Sequence, residues 1–211
     1  MQWIKGSGVA ASGLLLVCAA AAVQAQNRPP PPDDSPSPVI AGPVTYVIDP
    51  NHTYPTFFAD HHRTSTWSGK FDHTTGKVVL DRAGRTGTVD ITVSIGSINF
   101  GLDGMNRHAL SADMFDVAKY PVATYVGRFD KFRGDVPTQV RGNLTLHGVT
   151  RPLTLKIDRF ACRRGMGKQV ICGGDASATF NRADYGIDFG VPAAFDPTVR
   201  LAIQVEAMQQ P

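Results

Sequence analysis

The feature that most constrains the fold of this chain is a two-residue alternation of apolar and polar side chains. Residues 144–147 alternate leucine with threonine and histidine, and residues 153–158 alternate leucine and isoleucine with polar side chains. Because successive side chains of a β-strand point to opposite faces, each segment predicts a strand with one apolar face. The connection between them contains Gly148 and Pro152, which are common in turns. We therefore predict a β-hairpin over residues 144–155.

The same alternation recurs through most of the chain after residue 44. It is clearest in residues 89–95 and 199–206. Shorter predicted strands lie at residues 46–48, 57–59, 67–71, 78–80, 122–129 and 176–180. Glycine-containing turns separate these segments, and short strands at regular spacing indicate an antiparallel sandwich or a closed barrel. No GxGxxG motif, P-loop or strand–helix alternation is present, which argues against a nucleotide-binding α/β fold.

Residues 107–119 interrupt this rhythm. Leu110, Met114, Phe115 and Val117 lie near helical spacing. Ser111 or Asp113 would cap the start of a short helix, and residues 120–121, Tyr-Pro, would end it. We expect this helix to lie across one end of the sheet structure.

The first 43 residues do not have the pattern of a folded domain. Residues 1–25 contain Lys5 and then a short apolar segment, which predicts a cleaved secretory signal peptide. Cys18 leaves open a lipid-anchored alternative. Residues 26–43 are rich in proline and predict an extended linker, so the folded domain is expected at residues 44–211.

Export has consequences for the two remaining cysteines. Cys162 and Cys172 flank a basic loop, and an exported chain enters an oxidising compartment. We predict a structural disulfide between them at the base of a hairpin. The spacing fits neither a CxxC redox motif nor a zinc site. The net charge is only +3 and no basic segment is interleaved with aromatic residues, so we expect no binding to nucleic acid.

Four segments resemble conserved blocks of the YceI-like family of periplasmic barrels that bind polyisoprenoid lipids. They are residues 48–53 (IDPNHT), residues 108–121 (HALSADMFDVAKYP), the predicted hairpin at residues 144–155 (LTLHGVTRPLTL) and residues 180–187 (FNRADYGI). The resemblance covers most of residues 46–207. It implies an all-β fold: an eight-stranded antiparallel, lipocalin-like barrel with a short helix near one end.

The chain departs from the family pattern in three places. Met105 and Asn106 stand where the family commonly has arginine and aspartate, and a second arginine of the block at residues 108–111 is missing. The resemblance therefore implies a more apolar rim in this chain and ligand specificity in residues 105–120. Pro55 falls within the first family strand, and because proline cannot donate to a strand ladder we expect a bulge or an edge there.

Candidate ligand-binding residues are apolar: Phe57, Trp67, Phe71, Ile95, Phe100, Met114, Phe115 and Tyr120. Ordinary core packing explains each of them equally well. Ala59, Gly69 and Ala178 at interior positions would leave room for a ligand, so the sequence alone leaves open whether the barrel is hollow or filled. Burying about 40 carbons would nominally supply about 30 kcal/mol at about 0.8 kcal/mol per CH₂. Measured affinities saturate below this value, so we expect partial burial or a bent chain.

Metal binding and catalysis have weaker support. His52, His61, His62 and His73 lie close in sequence, but adjacent His61 and His62 would point to opposite faces of a strand. We therefore expect exposed or hydrogen-bonded histidines, no metal and no cofactor other than a bound lipid. No GxSxG motif occurs, and we expect Asp184 to lie in a turn.

The sequence thus predicts a non-enzymatic, periplasmic protein. It would hold a polyisoprenoid, an isoprenoid quinone or a fatty amide in a barrel cavity for transport or storage. The alternative is a filled barrel that acts in a stress response with a membrane electron-transfer partner. A homodimer is compatible with either function.

Overall fold

The alternating segments of the sequence form antiparallel β-strands in a computed structural model that describes residues 37–165 and 169–211. The strands are β1 (Val44–Ile48), β2 (Tyr54–His61), β3 (Ser65–Phe71), β4 (Thr74–Asp81), β5 (Thr86–Ser94), β6 (Ile98–Asn99), β7 (Val122–Arg133), β8 (Val136–Leu146), β9 (Val149–Arg164), β10 (Val170–Asn181) and β11 (Thr198–Gln209). A helix, α1 (Asp103–Leu110), separates β6 from β7. Short 3₁₀ helices span Ile95–Ser97 and Arg182–Tyr185.

Eight of these strands form a closed ring in the order β1-β4-β5-β7-β8-β9-β10-β11, and β11 returns to β1. Three residue pairs close the ring: Tyr46 with Gln209, Val47 with Met208 and Ile48 with Ala207. All pairings are antiparallel. The prediction of an eight-stranded antiparallel barrel with a short helix is therefore confirmed.

Strand β11 is longer than β1 and pairs with two strands in succession along one side. Its last residues pair with β1, and residues Val199–Gln204 pair with β2. Thr53 fixes the break between β1 and β2, because its hydroxyl donates to the carbonyl of Glu206 and accepts from the amide of Glu206, both at 3.2 Å. Pro55 follows this break; it pairs with Ile203, and pairing to β3 begins only at Thr56, as expected for an edge position.

The barrel has two distinct ends. The helix end carries α1, the β8–β9 turn and residues 182–197, which connect β10 to β11. The opposite end, called the barrel floor here, carries the β4–β5, β7–β8 and β9–β10 connections. Apolar side chains of alternating parity point inward from both halves and form the buried core.

The hairpin predicted at residues 144–155 forms from β8 and β9, with Leu146 paired to Val149. Its turn consists of His147 and Gly148, whose φ angles are +51° and +74°. Two consecutive positive φ values match the right-handed twist of the flanking strands. The assignment of Pro152 to the connection was wrong, since Pro152 lies within β9 and pairs with Asn143.

The helix lies earlier in the chain than predicted. Helix α1 ends at Leu110, and Ser111 follows its last residue instead of capping its start. The Ser111 hydroxyl contacts the carbonyl of His108 and the carboxylate of Asp113. These bonds stabilise a series of turns over residues 111–120, which sequence spacing had suggested as helix.

Cys162 and Cys172 form the predicted disulfide and occupy opposite positions in the β9–β10 pair. The predicted signal peptide, Cys18 and most of the predicted linker lie outside the described residues. From residue 37 onward the linker contacts the floor, where the Ser37 amide donates to the Cys162 carbonyl at 3.1 Å. Within residues 37–165 and 169–211, no helix is long and apolar enough to cross a membrane.

Candidate ligand cavity

The interior of the barrel contains a cavity of about 350 Å³. Its wall is largely hydrocarbon and comes from every strand of the closed ring. Wall residues include Ile48, Leu80, Val89, Ile91, Val140, Leu144, Leu153, Leu155, Leu201, Ile203 and Val205. A volume of this size falls within the range of about 300–1,000 Å³ typical of small-molecule pockets. The hollow interpretation of the barrel therefore holds.

Seven of the eight predicted ligand-binding residues line this cavity: Phe57, Trp67, Phe71, Ile95, Phe100, Met114 and Phe115. The aromatic members also contact one another. The Phe57 ring lies 5.2 Å from that of Phe100 and 5.7 Å from that of Phe71. They form the part of the wall nearest to helix α1. Their contact with a ligand stays a prediction.

Tyr120 lies outside the cavity. Its ring packs edge-on against His147 at 4.4 Å and covers Gly148 in the β8–β9 turn. The sequence suggested Tyr120, with Met114 and Phe115, as a candidate ligand-binding residue. Turns after Leu110 instead direct Tyr120 toward the hairpin, where it packs on the turn.

Three aromatic rings occupy space that interior glycines leave open. A Cβ atom added to Gly69 would lie 2.5 Å from the Phe57 ring, and one added to Gly142 would lie 2.7 Å from the Tyr125 ring. The Phe129 ring covers Gly87 in the same way, at 2.9 Å. The expectation that Gly69 leaves room for a ligand was therefore wrong, because Phe57 from the neighbouring strand fills that room. Ala59 does line the cavity, whereas Ala178 packs within the core.

The polar groups deep in the barrel are mostly satisfied by the protein. The Tyr125 hydroxyl donates to the carbonyl of Leu153 at 3.0 Å. Burial strongly raises the pKa of this phenol, with a smaller contribution from Asp130. Tyr125 is therefore neutral at any physiological pH.

Ionisable side chains gather at the helix end of the cavity: Asp60, His61, His108 and Arg182. The Arg182 guanidinium donates to the carbonyls of Ile187 at 2.7 Å and Phe189 at 2.9 Å. Burial lowers the pKa of Arg182 while Asp188 partly opposes the shift, and the group stays protonated. The Asp60 carboxylate accepts from the backbone amides of Arg63 and Asp196 at 3.1 Å. These bonds hold the loop that borders the cavity.

Two of the residues that depart from the family pattern, Met105 and Asn106, lie at this same end, on helix α1. Met105 lines the cavity, and the Asn106 side-chain oxygen accepts from the Phe100 amide at 2.8 Å. Asn106 thus holds the segment that enters the helix, and Met105 supplies apolar surface to the rim. The more apolar rim inferred from the sequence is consistent with this placement.

Two of the histidines lie side by side at the end of β2. His61 is the last residue of β2, and His62 turns back with a φ of +53°. The two rings therefore contact each other at 4.7 Å, and the expectation that they point to opposite faces was wrong. His61 also stacks on Trp67 at 3.9 Å. No group of three potential metal ligands occurs in the part of the chain that the structure describes.

Other polar candidates have structural roles. Asp184 lies in the 3₁₀ helix after β10, where the Asn181 side chain accepts from the Ala183 amide at 2.9 Å, as expected for a turn. His52 is paired with Asp49 at 2.7 Å. Neither residue lines the cavity.

Several cavity residues were missed from the sequence. Phe129 and Phe160 lie on predicted or extended strands, so strand parity was the signal that would have found them. Arg182, Phe189 and Phe195 lie outside the strands, in the connection from β10 to β11. No periodic pattern applies to a connection of this kind.

Comparisons with known proteins support the same fold. The YceI-like domain family matches residues 46–207. A UPF0312 protein of Pseudomonas savastanoi pv. phaseolicola is 31% identical over 172 residues, covering 78% of this chain and 86% of the relative. A UPF0312 protein of Pseudomonas putida is 40% identical over 109 residues, covering 50% of this chain, so that match spans about half (54%) of the relative's length.

A solved structure gives a similar result. A polyisoprenoid binding domain from Saccharophagus degradans, described as implicated in plant cell wall breakdown, superposes with a TM-score of 0.59 at 18% identity. The match covers 79% of this chain and 99% of that domain. At this identity the likeness concerns the fold of the barrel.

Proposed function

The chain belongs to the YceI-like domain family, and from that premise we propose that it is an exported, non-catalytic protein that binds a long-chain amphiphile inside its barrel. The observation that carries the proposal is the cavity of about 350 Å³ with a largely hydrocarbon wall. Ligands of the polyisoprenoid, isoprenoid quinone or fatty amide type have the chemistry that such a wall accepts. The protein would carry or store its ligand.

The physical basis of binding is burial of apolar surface. Each methylene group that leaves water contributes about 0.8 kcal/mol, while the ligand loses translational and conformational freedom. The ionisable residues at the helix end give the amphiphile an orientation. Its chain would point toward the barrel floor, and its polar head would remain near Asp60, His108 and Arg182.

The filled-barrel alternative depends on an interior without space for a ligand. The cavity of about 350 Å³ argues against that premise, and a membrane electron-transfer partner and a homodimer both stay predictions. A periplasmic location is part of the proposal, supported by family membership and by the Cys162–Cys172 disulfide, which suits an oxidising compartment.

The proposal is tested by extraction of the purified protein with organic solvent, followed by mass spectrometry. No detergent is used at any earlier step. We expect an isoprenoid or fatty-chain compound in near-stoichiometric amount, or uptake of farnesol or oleamide by protein that was emptied first. Protein that is empty on isolation and takes up neither compound would overturn the proposal.

A matched pair of variants identifies the site of binding. Ala176 lines the cavity, whereas Thr179 lies on the outer face of the same strand. We expect Ala176→Phe to fill part of the cavity and weaken uptake, and Thr179→Phe to bind as the unmodified protein does. Equal uptake by both variants would place the ligand elsewhere.

A further inference from the structure

The hydrocarbon wall of the cavity contains two buried threonines, Thr53 and Thr74. Thr53 is 2% exposed and Thr74 is 1% exposed. The Thr53 hydroxyl is used by the fold, because it donates to the carbonyl of Glu206 and accepts from the amide of the same residue. The Thr74 hydroxyl oxygen has no hydrogen-bond partner among the residues that the structure describes. The two side chains therefore differ in whether the protein satisfies them.

A buried hydroxyl without a partner destabilises a folded protein, because it has given up its hydrogen bonds to water. Native structures therefore contain few such groups, and each one requires an explanation. In the described part of the chain, three buried side-chain atoms lack a partner, in Thr74, Arg82 and His147. Thr74 is the one of these three residues that lines the cavity. Its hydroxyl is thus placed where a bound molecule supplies the missing partner.

The neighbours of Thr74 on the inner face of the barrel are hydrocarbon. Thr74 is the first residue of β4 and pairs with Val93 of β5. Ile91 and Ile95, two residues before and after Val93, also line the cavity. A buried water molecule needs two to four polar partners, and these three side chains offer none. An oxygen atom of an otherwise apolar ligand suits this position better than a water molecule does.

Thr74 lies toward the helix end of the barrel, because β5 runs from the floor to the helix end and Val93 is its last residue but one. Rotation about the Cα–Cβ bond of a threonine exchanges its hydroxyl and its methyl group among staggered positions. For Thr74 this rotation breaks no hydrogen bond with the described residues. The hydroxyl can therefore turn toward a ligand without loss of a bond within the protein.

We propose that Thr74 is the polar anchor of the cavity and selects amphiphiles that place an oxygen acceptor inside the barrel, near its helix end. The threonine hydroxyl donates to this oxygen, which is the carbonyl of an amide or a quinone, or the hydroxyl of a prenol. A hydrocarbon without such an oxygen leaves the Thr74 hydroxyl unpaired. The inference rests on the proposed function, because it specifies which head groups the cavity accepts.

The test compares Thr74→Val with the unmodified protein, since valine has the shape of threonine and lacks the hydroxyl. Direct titration measures the affinity of phenylnaphthylamine, an apolar fluorophore without oxygen, and displacement of this fluorophore measures oleamide and farnesol. We expect Thr74→Val to weaken oleamide and farnesol at least about fivefold, because the ligand oxygen loses its partner. The affinity of the fluorophore should stay unchanged. Thr74→Ser keeps the hydroxyl and should retain the binding of all three compounds.

Stability distinguishes an anchor from a hydroxyl with a structural role. Because the Thr74 hydroxyl has no partner among the described residues, Thr74→Val should raise the urea midpoint of the emptied protein. Thr53→Val is the matched control: it removes two hydrogen bonds to Glu206, so it should lower the midpoint and change the affinities of all three compounds by the same factor. A lower midpoint in Thr74→Val would show that its hydroxyl bonds within the protein, which would overturn the proposal.

The binding results separate the anchor from the binding function itself. Unchanged affinities for oleamide and farnesol in Thr74→Val, or an equal loss for all three compounds, would overturn the anchor and leave the proposed function intact. If neither oleamide nor farnesol displaces the fluorophore from the unmodified protein, both proposals fail.

Discussion

At the scale of single residues, the barrel interior depends on pairs of one glycine and one aromatic ring. Gly69 and Phe57 are direct cross-strand neighbours in β3 and β2. We expect Gly69→Ala to lower the free energy of unfolding by about 1–3 kcal/mol, because the new methyl group would displace the Phe57 ring. Urea denaturation of the two proteins measures the difference.

Two further variants separate this steric effect from a general effect of alanine. Gly104 lies in helix α1, and no atom lies within 4 Å of a Cβ added there, so Gly104→Ala should raise stability by about 0.5–1 kcal/mol. Phe57→Leu combined with Gly69→Ala should recover part of the loss. A double variant whose cost equals the sum of the two single costs would contradict the packing explanation.

The pair of Asp49 and His52 predicts a measurable pH response. The hydrogen bond that the His52 ring donates to the Asp49 carboxylate raises the pKa of His52 and lowers the pKa of Asp49. The raised histidine pKa adds stability that is lost as the pH rises through the folded-state value. The lowered aspartate pKa adds stability that is lost as the pH falls. The pair therefore stabilises the fold mainly between about pH 4 and pH 6.5.

The check on this pair is an NMR titration of the His52 ring. We expect a midpoint above about 6.5, the usual histidine value. Asp49→Asn should bring the midpoint back toward that value. A His52 midpoint that the substitution leaves unchanged would show that the carboxylate does not control it.

Residue-scale features were only partly predictable from the sequence. Strand parity identified Phe57, Trp67 and Phe71 as interior, because alternation fixes which face a side chain occupies. It did not identify the ring that fills the space over Gly69, because that depends on the register between two strands. It also failed for His61 and His62, where the strand ends between the two residues.

At the scale of elements, the β8–β9 hairpin depends on its turn and on the ring that covers it. Gly148 has a φ of +74°, and a Cβ atom added there would lie 2.5 Å from the Tyr120 ring. Alanine in this conformation costs about 1–2 kcal/mol, and displacement of the ring adds about 1–3 kcal/mol. We therefore expect Gly148→Ala to destabilise the protein by about 2–5 kcal/mol.

Gly134 in the β7–β8 turn provides the matched control. Its φ is +64°, but no atom lies within 4 Å of an added Cβ. Gly134→Ala should therefore cost only the conformational part, about 1–2 kcal/mol. Thermal and urea unfolding of both variants give the comparison. An equal loss of stability in Gly148→Ala and Gly134→Ala would mean that displacement of the Tyr120 ring adds nothing to the cost.

Element boundaries show where local sequence signals conflict. The hairpin was predictable because alternation on both sides and Gly148 indicate the same structure. The helix was misplaced because Ser111 and Asp113 have the chemistry of residues that start a helix. In the folded protein Ser111 follows the last turn of α1, where its hydroxyl contacts the His108 carbonyl. The sequence alone does not show whether this serine precedes a helix or follows one.

At the scale of the whole molecule, alternation indicated a closed or layered antiparallel structure but did not determine what fills it. The inward positions predict a buried surface equally well for a solid core and for a hollow one. The cavity is bounded by inner residues from all eight strands of the ring. The space inside the barrel is a property of the closed ring, and the pattern of a single strand does not predict it.

Closure of the ring depends on a short contact between β1 and β11. Val47 in the middle of β1 pairs with Met208 on one side and Lys77 on the other, and its side chain is 39% exposed. Proline at this position removes a ladder hydrogen bond and leaves its acceptor without a partner, which should cost about 1–3 kcal/mol. Val47→Ala changes the side chain and keeps the amide, so it is the matched control.

We expect Val47→Pro to open the barrel between β1 and β11 and to weaken phenylnaphthylamine binding, while Val47→Ala retains it. Hydrogen exchange measured by mass spectrometry should show faster exchange in β1 and in the last residues of β11. Strands β7, β8 and β9 lie on the opposite side of the ring and should remain protected. If the proline variant binds the fluorophore as tightly as the alanine variant, the cavity does not require a closed ring.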